Sequence, residues 1–105
     1  MLRTHTCNEL SSKNEEQKVT LTGWVHHRRD HGGIIFIDLR DHYGVTQITF
    51  DPEVNIEAHT KAEKVRSEWV LKVTGTVKNR GEGLQNKNLE TGEIEIFVEK
   101  LESFF

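Results

Sequence analysis

Phe36, Gln47 and Glu95 are the side chains of this sequence best matched to a nucleobase. A bare aromatic on a sheet face is a stacking platform, worth roughly 1–3 kcal/mol per base. Gln47 carries one acceptor and two donors, enough to read a base edge. Glu95 repels phosphate, yet its two oxygens match the paired N–H donors on the Watson–Crick edge of guanine. Each has a plainer reading. Phe36 can belong to an apolar cluster under a loop. Gln47 and Glu95 can be solvated strand residues. Their weight comes from sharing a face, and that depends on how the strands pair.

Other reactive residue types point nowhere sharper. Arg28 and Arg29 alternate on one strand, so one can meet phosphate or a base while the other caps the core. His26, His27, His31 and His42 crowd one region, but no spacing matches a zinc site and there is a single cysteine, Cys7. No metal site is expected. Cys7 lies near a terminus without the context of a nucleophile. No Ser/His/Asp set, Gly-rich phosphate loop or carboxylate pair stands out. On these residues alone the chain carries no catalytic group and needs no cofactor.

The elements that must position these side chains follow from periodicity. Residues 24–52 read as three strands joined by turns at Asp30-His31-Gly32-Gly33 and Asp41-His42-Tyr43-Gly44. The first strand begins upstream, in the alternating run Val19–Val25, where Gly23 marks a bulge or bend. Pairing Arg40 with Val45 across the second turn sets Asp38 opposite Gln47, Phe36 opposite Thr49 and Ile37 opposite Ile48. One face then carries Ile35, Ile37, Leu39, Ile48 and Phe50; a one-residue slip would mix core and solvent sides. The same logic at the first turn pairs Arg29 with Ile34 and His27 with Phe36. Arg29, His27, Phe36 and Gln47 thus share the outer face.

Residues 1–17 look polar and irregular, with one helical turn at residues 14–17. Residues 54–69 look helical, with Ala58, Ala62, Val65 and Trp69 on one side and Asn55 as N-cap. A fourth strand runs over residues 69–78. A polar, glycine-containing loop covers 79–92, and a fifth strand covers 93–98 with Ile94, Ile96 and Val98 inward. Three meandering strands, a helix and two more strands is the layout of an all-β OB-fold, a five-stranded Greek-key barrel with one helix between strands 3 and 4. In that fold strands 2–3 and the 1–2 and 4–5 loops bind ligands.

A length of 105 residues fits one domain, residues 1–105, with a single core. No apolar run reaches the roughly 18 residues of a membrane span. The lone cysteine fits a reducing cytoplasm. The net charge of −3 argues against a general phosphate grip. The closing aromatics Phe104 and Phe105 look like an end cut from a longer protein.

The segment GWVHHRRDHGGIIFIDLRDHYGVTQITFDP, with RTHTCNEL before it and VTGTVKNR and TGEIEI after it, resembles the N-terminal anticodon-binding domain of bacterial-type aspartyl-tRNA synthetases. The resemblance covers essentially the whole chain. It implies that Phe36 stacks on an anticodon base, that Gln47 bonds the middle uridine and that Glu95 contacts the first base, guanine or its modified form. It implies that Arg29 approaches the third base or its neighbours, and it carries Arg80 and Asn86 of the 4–5 loop over as further RNA contacts. The full enzyme of that family is a cytoplasmic class II ligase, usually a homodimer, that activates aspartate with ATP and Mg²⁺ and esterifies tRNA. The catalytic core lies outside this segment. His31 and Gly83 stand where some relatives have a larger apolar and a basic residue. On that basis the chain resembles the relaxed form, which serves both the aspartate and the asparagine tRNA. Three rivals remain: a sequence-tolerant single-strand binder, an OB module facing a protein partner, and the domain of an asparaginyl or lysyl relative.

Overall fold

The computed structural model describes residues 3–80 and 92–103. Five strands, β1 (Lys18–His31), β2 (Ile34–Arg40), β3 (Val45–Phe50), β4 (Val70–Asn79) and β5 (Ile94–Ser103), close a barrel in the order β1-β2-β3-β5-β4. A helix, α1 (Ile56–Ala62), lies between β3 and β4. Every neighbouring pair is antiparallel except β3 and β5, whose short parallel contact pairs Ile48 with Ile96 and Thr49 with Phe97. This is the expected OB-fold barrel with its helix.

The β2–β3 register matches the expectation from parity: Arg40 pairs Val45, Asp38 pairs Gln47 and Phe36 pairs Thr49. Ile35, Ile37, Leu39, Ile48 and Phe50 are all buried. The first hairpin is tighter than expected. His31 pairs Ile34 and Arg29 pairs Phe36, so the turn is only Gly32-Gly33, with φ of 60° and 83°. Two consecutive positive φ angles suit a two-residue hairpin turn, which glycine makes at no steric cost. The shift is two residues, so each side chain keeps its face.

Gly23 is not the bulge. The ladder to β4 runs through it, and the register breaks between Val25 and His27 instead. A Cβ on Gly23 would lie 2.3 Å from the Arg40 carbonyl oxygen, so the residue serves close approach where β1 passes from β4 to β2. Gly75 has the same role at the β4–β5 bulge. Its Cβ would meet the Phe97 carbonyl oxygen at 2.3 Å and Ile96 Cγ2 at 2.8 Å. Gly75→Ala is expected to lose about 3 kcal/mol of stability by overpacking. Urea unfolding checks this as a lower midpoint at unchanged slope.

The helix is shorter than its periodicity indicates. Asn55 caps it as expected, accepting from the Ala58 N–H at 2.9 Å, but α1 stops at Ala62. Residues 63–69 turn away to dock on β1. The Glu68 N–H donates to the Val25 carbonyl, and the Val25 N–H donates to that of Trp69, both at 2.9 Å. Val65 stays buried and Trp69 packs on the core, so the apolar period outlasts the helix.

The N-terminal segment differs most from expectation. Its one helical turn is a 3-10 turn at Ser12–Asn14. Cys7 and Leu10 are core residues. The Cys7 N–H donates to Asp41 Oδ2 at 2.8 Å, and its carbonyl accepts from Thr46 Oγ1 at 2.7 Å. Asp41 Oδ1 also accepts from the Tyr43 and Gly44 N–H groups, so one carboxylate closes the second turn and straps the N-terminal segment to it. β5 runs on to Ser103, five residues beyond its expected end, and pairs with β4 down to Leu71. Among the described residues no helix is long and apolar enough to cross a membrane.

Candidate nucleic-acid interface

The outer faces of β1, β2, β3 and β5 meet in a cleft of about 550 Å³ lined by Arg29, Asp30, His31, Phe36, Gln47, Arg80 and Glu95. Five of the six residues singled out for RNA contact are therefore brought together, with His31 beside them. Asn86 and Gly83 lie outside the described residues. His31 closes β1 opposite Ile34 rather than sitting in a loop. Phe36 is half-buried, with Arg29 beside it on β1 and Thr49 beside it on β3.

Polar groups cross the floor of the cleft in a chain. Arg29 Nη1 lies 3.5 Å from Asp38 Oδ2, and Arg29 Nη2 donates to Gln47 Oε1 at 3.1 Å. Gln47 Nε2 donates to Glu95 Oε1 at 3.3 Å, and Thr49 Oγ1 donates to the same oxygen at 2.5 Å. A cation on one side and a carboxylate on the other fix which way the Gln47 amide faces. Parity correctly places Gln47 on this face, but the residue is not an open amide. It is only 7% exposed and both of its ends are engaged. Alternation reports the side of a sheet, not whether neighbouring side chains cover it.

Arg80 closes the far wall. Its N–H and Nε bond the carbonyls of Glu93 and Ile94, at 3.0 and 2.9 Å. Its buried Nη2 has no partner among the described residues. Burial lowers the guanidinium's pKa below its ordinary value, while Glu95 and Asp38 act in the opposite sense. Burying a cation is costly wherever its donors lack acceptors.

Arg28 does not line the cleft; it pairs with Asp30 Oδ2 at 2.7 Å and donates to the Glu63 carbonyl at 3.5 Å. The histidines disperse. His26 and His27 lie with ring centroids 4.4 Å apart and planes tilted by 60°, His27 approaches Asp38 at 3.8 Å, and His42 meets Trp24 edge-on. Among the described residues no three metal-ligating side chains converge. Asp30, Asp38 and Thr49 are site residues missed by sequence reasoning. Parity had already put Asp38 and Thr49 on the right face; what it lacked was the closure of β3 onto β5.

Cys7 is fully buried, and its thiol is pushed well above the ordinary range, first by burial and then by the Asp41 carboxylate. A raised thiol pKa means stability that is complete below the free thiol's 9.0 and declines as pH rises beyond it. An aromatic disulfide reagent at pH 8 is expected to leave the folded protein unmodified and to titrate one thiol in guanidinium. Fast modification of the folded chain would contradict this burial.

Residues 19–104 match the tRNA anti-codon family, an OB-fold nucleic acid binding domain, and the chain belongs to that family. Among curated proteins it is similar to the aspartate–tRNA(Asp/Asn) ligase of Protochlamydia amoebophila, 56% identical over 100 residues, covering 95% of this chain and 17% of that protein. The aspartate–tRNA(Asp/Asn) ligase of Dictyoglomus turgidum is 54% identical over 101 residues, again covering 17% of that protein. The chain thus spans about a sixth of these relatives. Among solved structures it resembles asparaginyl-tRNA synthetase from Pyrococcus horikoshii, with a TM-score of 0.81 and 31% identity over 99% of this chain and 23% of that one.

Proposed function

We propose that this chain is the anticodon-reading domain of an aspartate–tRNA ligase of the kind that serves both the aspartate and the asparagine tRNA. The observation that carries the reading is the cleft itself: a half-buried ring, a directed amide, a carboxylate and two guanidinium groups converge on it. Phe36 stacks on a base of the anticodon. Gln47 presents its amide to the middle uridine, exchanging its Glu95 partner for the base. Glu95 accepts from the guanine edge of the first base. Arg29 approaches the third base, and Arg80 takes an acceptor on the RNA. Asn86 and Gly83 complete the assignment from the 4–5 loop.

Cleft charges nearly balance, with Arg29 and Arg80 set against Asp30 and Glu95, and the whole chain is net negative. Affinity then rests on stacking and base edges more than on counterion release, which separates this reading from a sequence-tolerant binder. Aspartate activation with ATP and Mg²⁺ and ester formation belong to the remainder of a longer cytoplasmic enzyme that assembles as a homodimer. No step of that chemistry uses a residue of this chain.

Titration with anticodon stem-loops tests the proposal. Stem-loops carrying GUC and GUU are expected to bind within about tenfold of each other, ~1.4 kcal/mol. A stem-loop with an unrelated triplet is expected to bind at least about tenfold more weakly than either. Binding indifferent to the triplet would overturn the reading. A preference for GUC above tenfold would overturn its dual-tRNA part alone.

A further inference from the structure

We propose that Thr49 is a positioning residue for base recognition: its hydroxyl anchors Oε1 of Glu95 and keeps the carboxylate aimed into the cleft when Gln47 releases it. The inference rests on the reading of Glu95 as acceptor for the first anticodon base.

Thr49 is 1% exposed and sits in the middle of the sheet, paired with Phe36 on one side and Phe97 on the other. Its backbone is fixed by both ladders, and its β-branched side chain has few rotamers. Two donors reach the same oxygen of Glu95. The Thr49 hydroxyl does so at 2.5 Å, the range of a charge-assisted O–H···O⁻ bond. The Gln47 amide does so at 3.3 Å, at the long end for N–H···O. Oε2 takes no hydrogen bond from the described residues. Among the described residues the carboxylate is therefore held at Oε1 alone.

That asymmetry decides which contact yields. A base that engages Gln47 competes with the longer bond, and the shorter one survives. Without Thr49, release of Gln47 would free a three-rotor side chain to swing, and ordering it again on RNA costs conformational entropy. With Thr49 the acceptor stays oriented toward a ligand bearing adjacent N–H donors, the pattern of a guanine edge. Sequence parity places Thr49 on this face but gives a hydroxyl there no role of its own.

The test titrates the parent chain, Thr49→Val, Thr49→Ser and Glu95→Gln with stem-loops that differ only at the first anticodon base: guanine, inosine, which lacks the 2-amino group, and adenine, which lacks the N1–H. Valine keeps the shape of threonine and removes the donor. The guanine preference is expected to shrink about tenfold in Thr49→Val, the scale of a lost hydrogen bond to a charged group. Adenine affinity should stay within twofold of the parent's, and Thr49→Ser should restore the preference. Thr49→Ala, subject to the same expectation, serves if the valine variant does not fold.

Two results would overturn the inference. One is a Thr49→Val chain that keeps the parental guanine preference while Glu95→Gln abolishes it. The other is an equal loss for all three bases, the mark of a merely structural role. A Glu95→Gln chain with unchanged preference would instead overturn the reading of Glu95 on which the inference rests.

Discussion

Phe36→Ala is expected to weaken binding of a GUC stem-loop by roughly 1–3 kcal/mol, on the order of tenfold to a hundredfold, with little loss of fold stability. The ring is half-buried on the outer face, while the barrel interior is filled by Ile35 and Ile37 on either side of it. Truncation therefore removes a stacking surface and leaves the core intact. Phe36→Tyr keeps a π-face and should retain most of the affinity. Phe36→Leu keeps apolar bulk without the face and should lose most of it. Calorimetric titration of the three variants gives the comparison. An alanine variant that binds within twofold of the parent would mean that the ring belongs to an apolar cluster and not to the RNA site.

Asp41→Ala is expected to do the reverse. One buried carboxylate accepts three backbone N–H bonds, from Cys7, Tyr43 and Gly44. Bonds to a charged group are worth about 1.5–3 kcal/mol each, and the Cys7 N–H would be left buried without an acceptor. Non-additivity among the three keeps the expected total at about 3–5 kcal/mol. That is a large part of the 5–15 kcal/mol typical of a domain. The melting temperature should fall by roughly 15 °C or more. Asp41→Asn should recover only part, because its amide would turn a second donor toward the Cys7 N–H. Asp41 lies outside the cleft, so RNA affinity measured well below the melting point should be unchanged. A loss under 1 kcal/mol would show that the N-terminal strap holds by apolar contact of Cys7 and Leu10 alone. Together the two substitutions separate recognition from folding.

Strand parity makes much of the site legible in the sequence. The Arg40–Val45 pairing, read from alternation alone, sets Phe36, Asp38, Gln47 and Thr49 on one face. Arg29 joined them despite a two-residue error in its hairpin, because an even shift preserves side. Burial of Gln47 and Thr49 was not legible. It depends on Arg29 and Glu95 closing over them, and Glu95 arrives through a parallel β3–β5 contact between residues far apart in sequence. The N-terminal strap was hidden for the same reason: nothing local in Cys7 announces that Asp41 and Thr46 will receive it. The helix was overextended because Val65 and Trp69 keep the helical period while packing from a non-helical segment.

The most direct test of the cleft as the RNA site is an amide chemical-shift titration of the chain with a GUC stem-loop. The expected perturbations centre on Arg29, Phe36, Gln47, Thr49, Arg80 and Glu95 and follow the binding isotherm, while an unrelated triplet at equal concentration leaves them small. Perturbations centred instead on the sheet face of Thr20, Lys72, Thr74 and Lys100, across the barrel from the cleft strands β2 and β3, would contradict it.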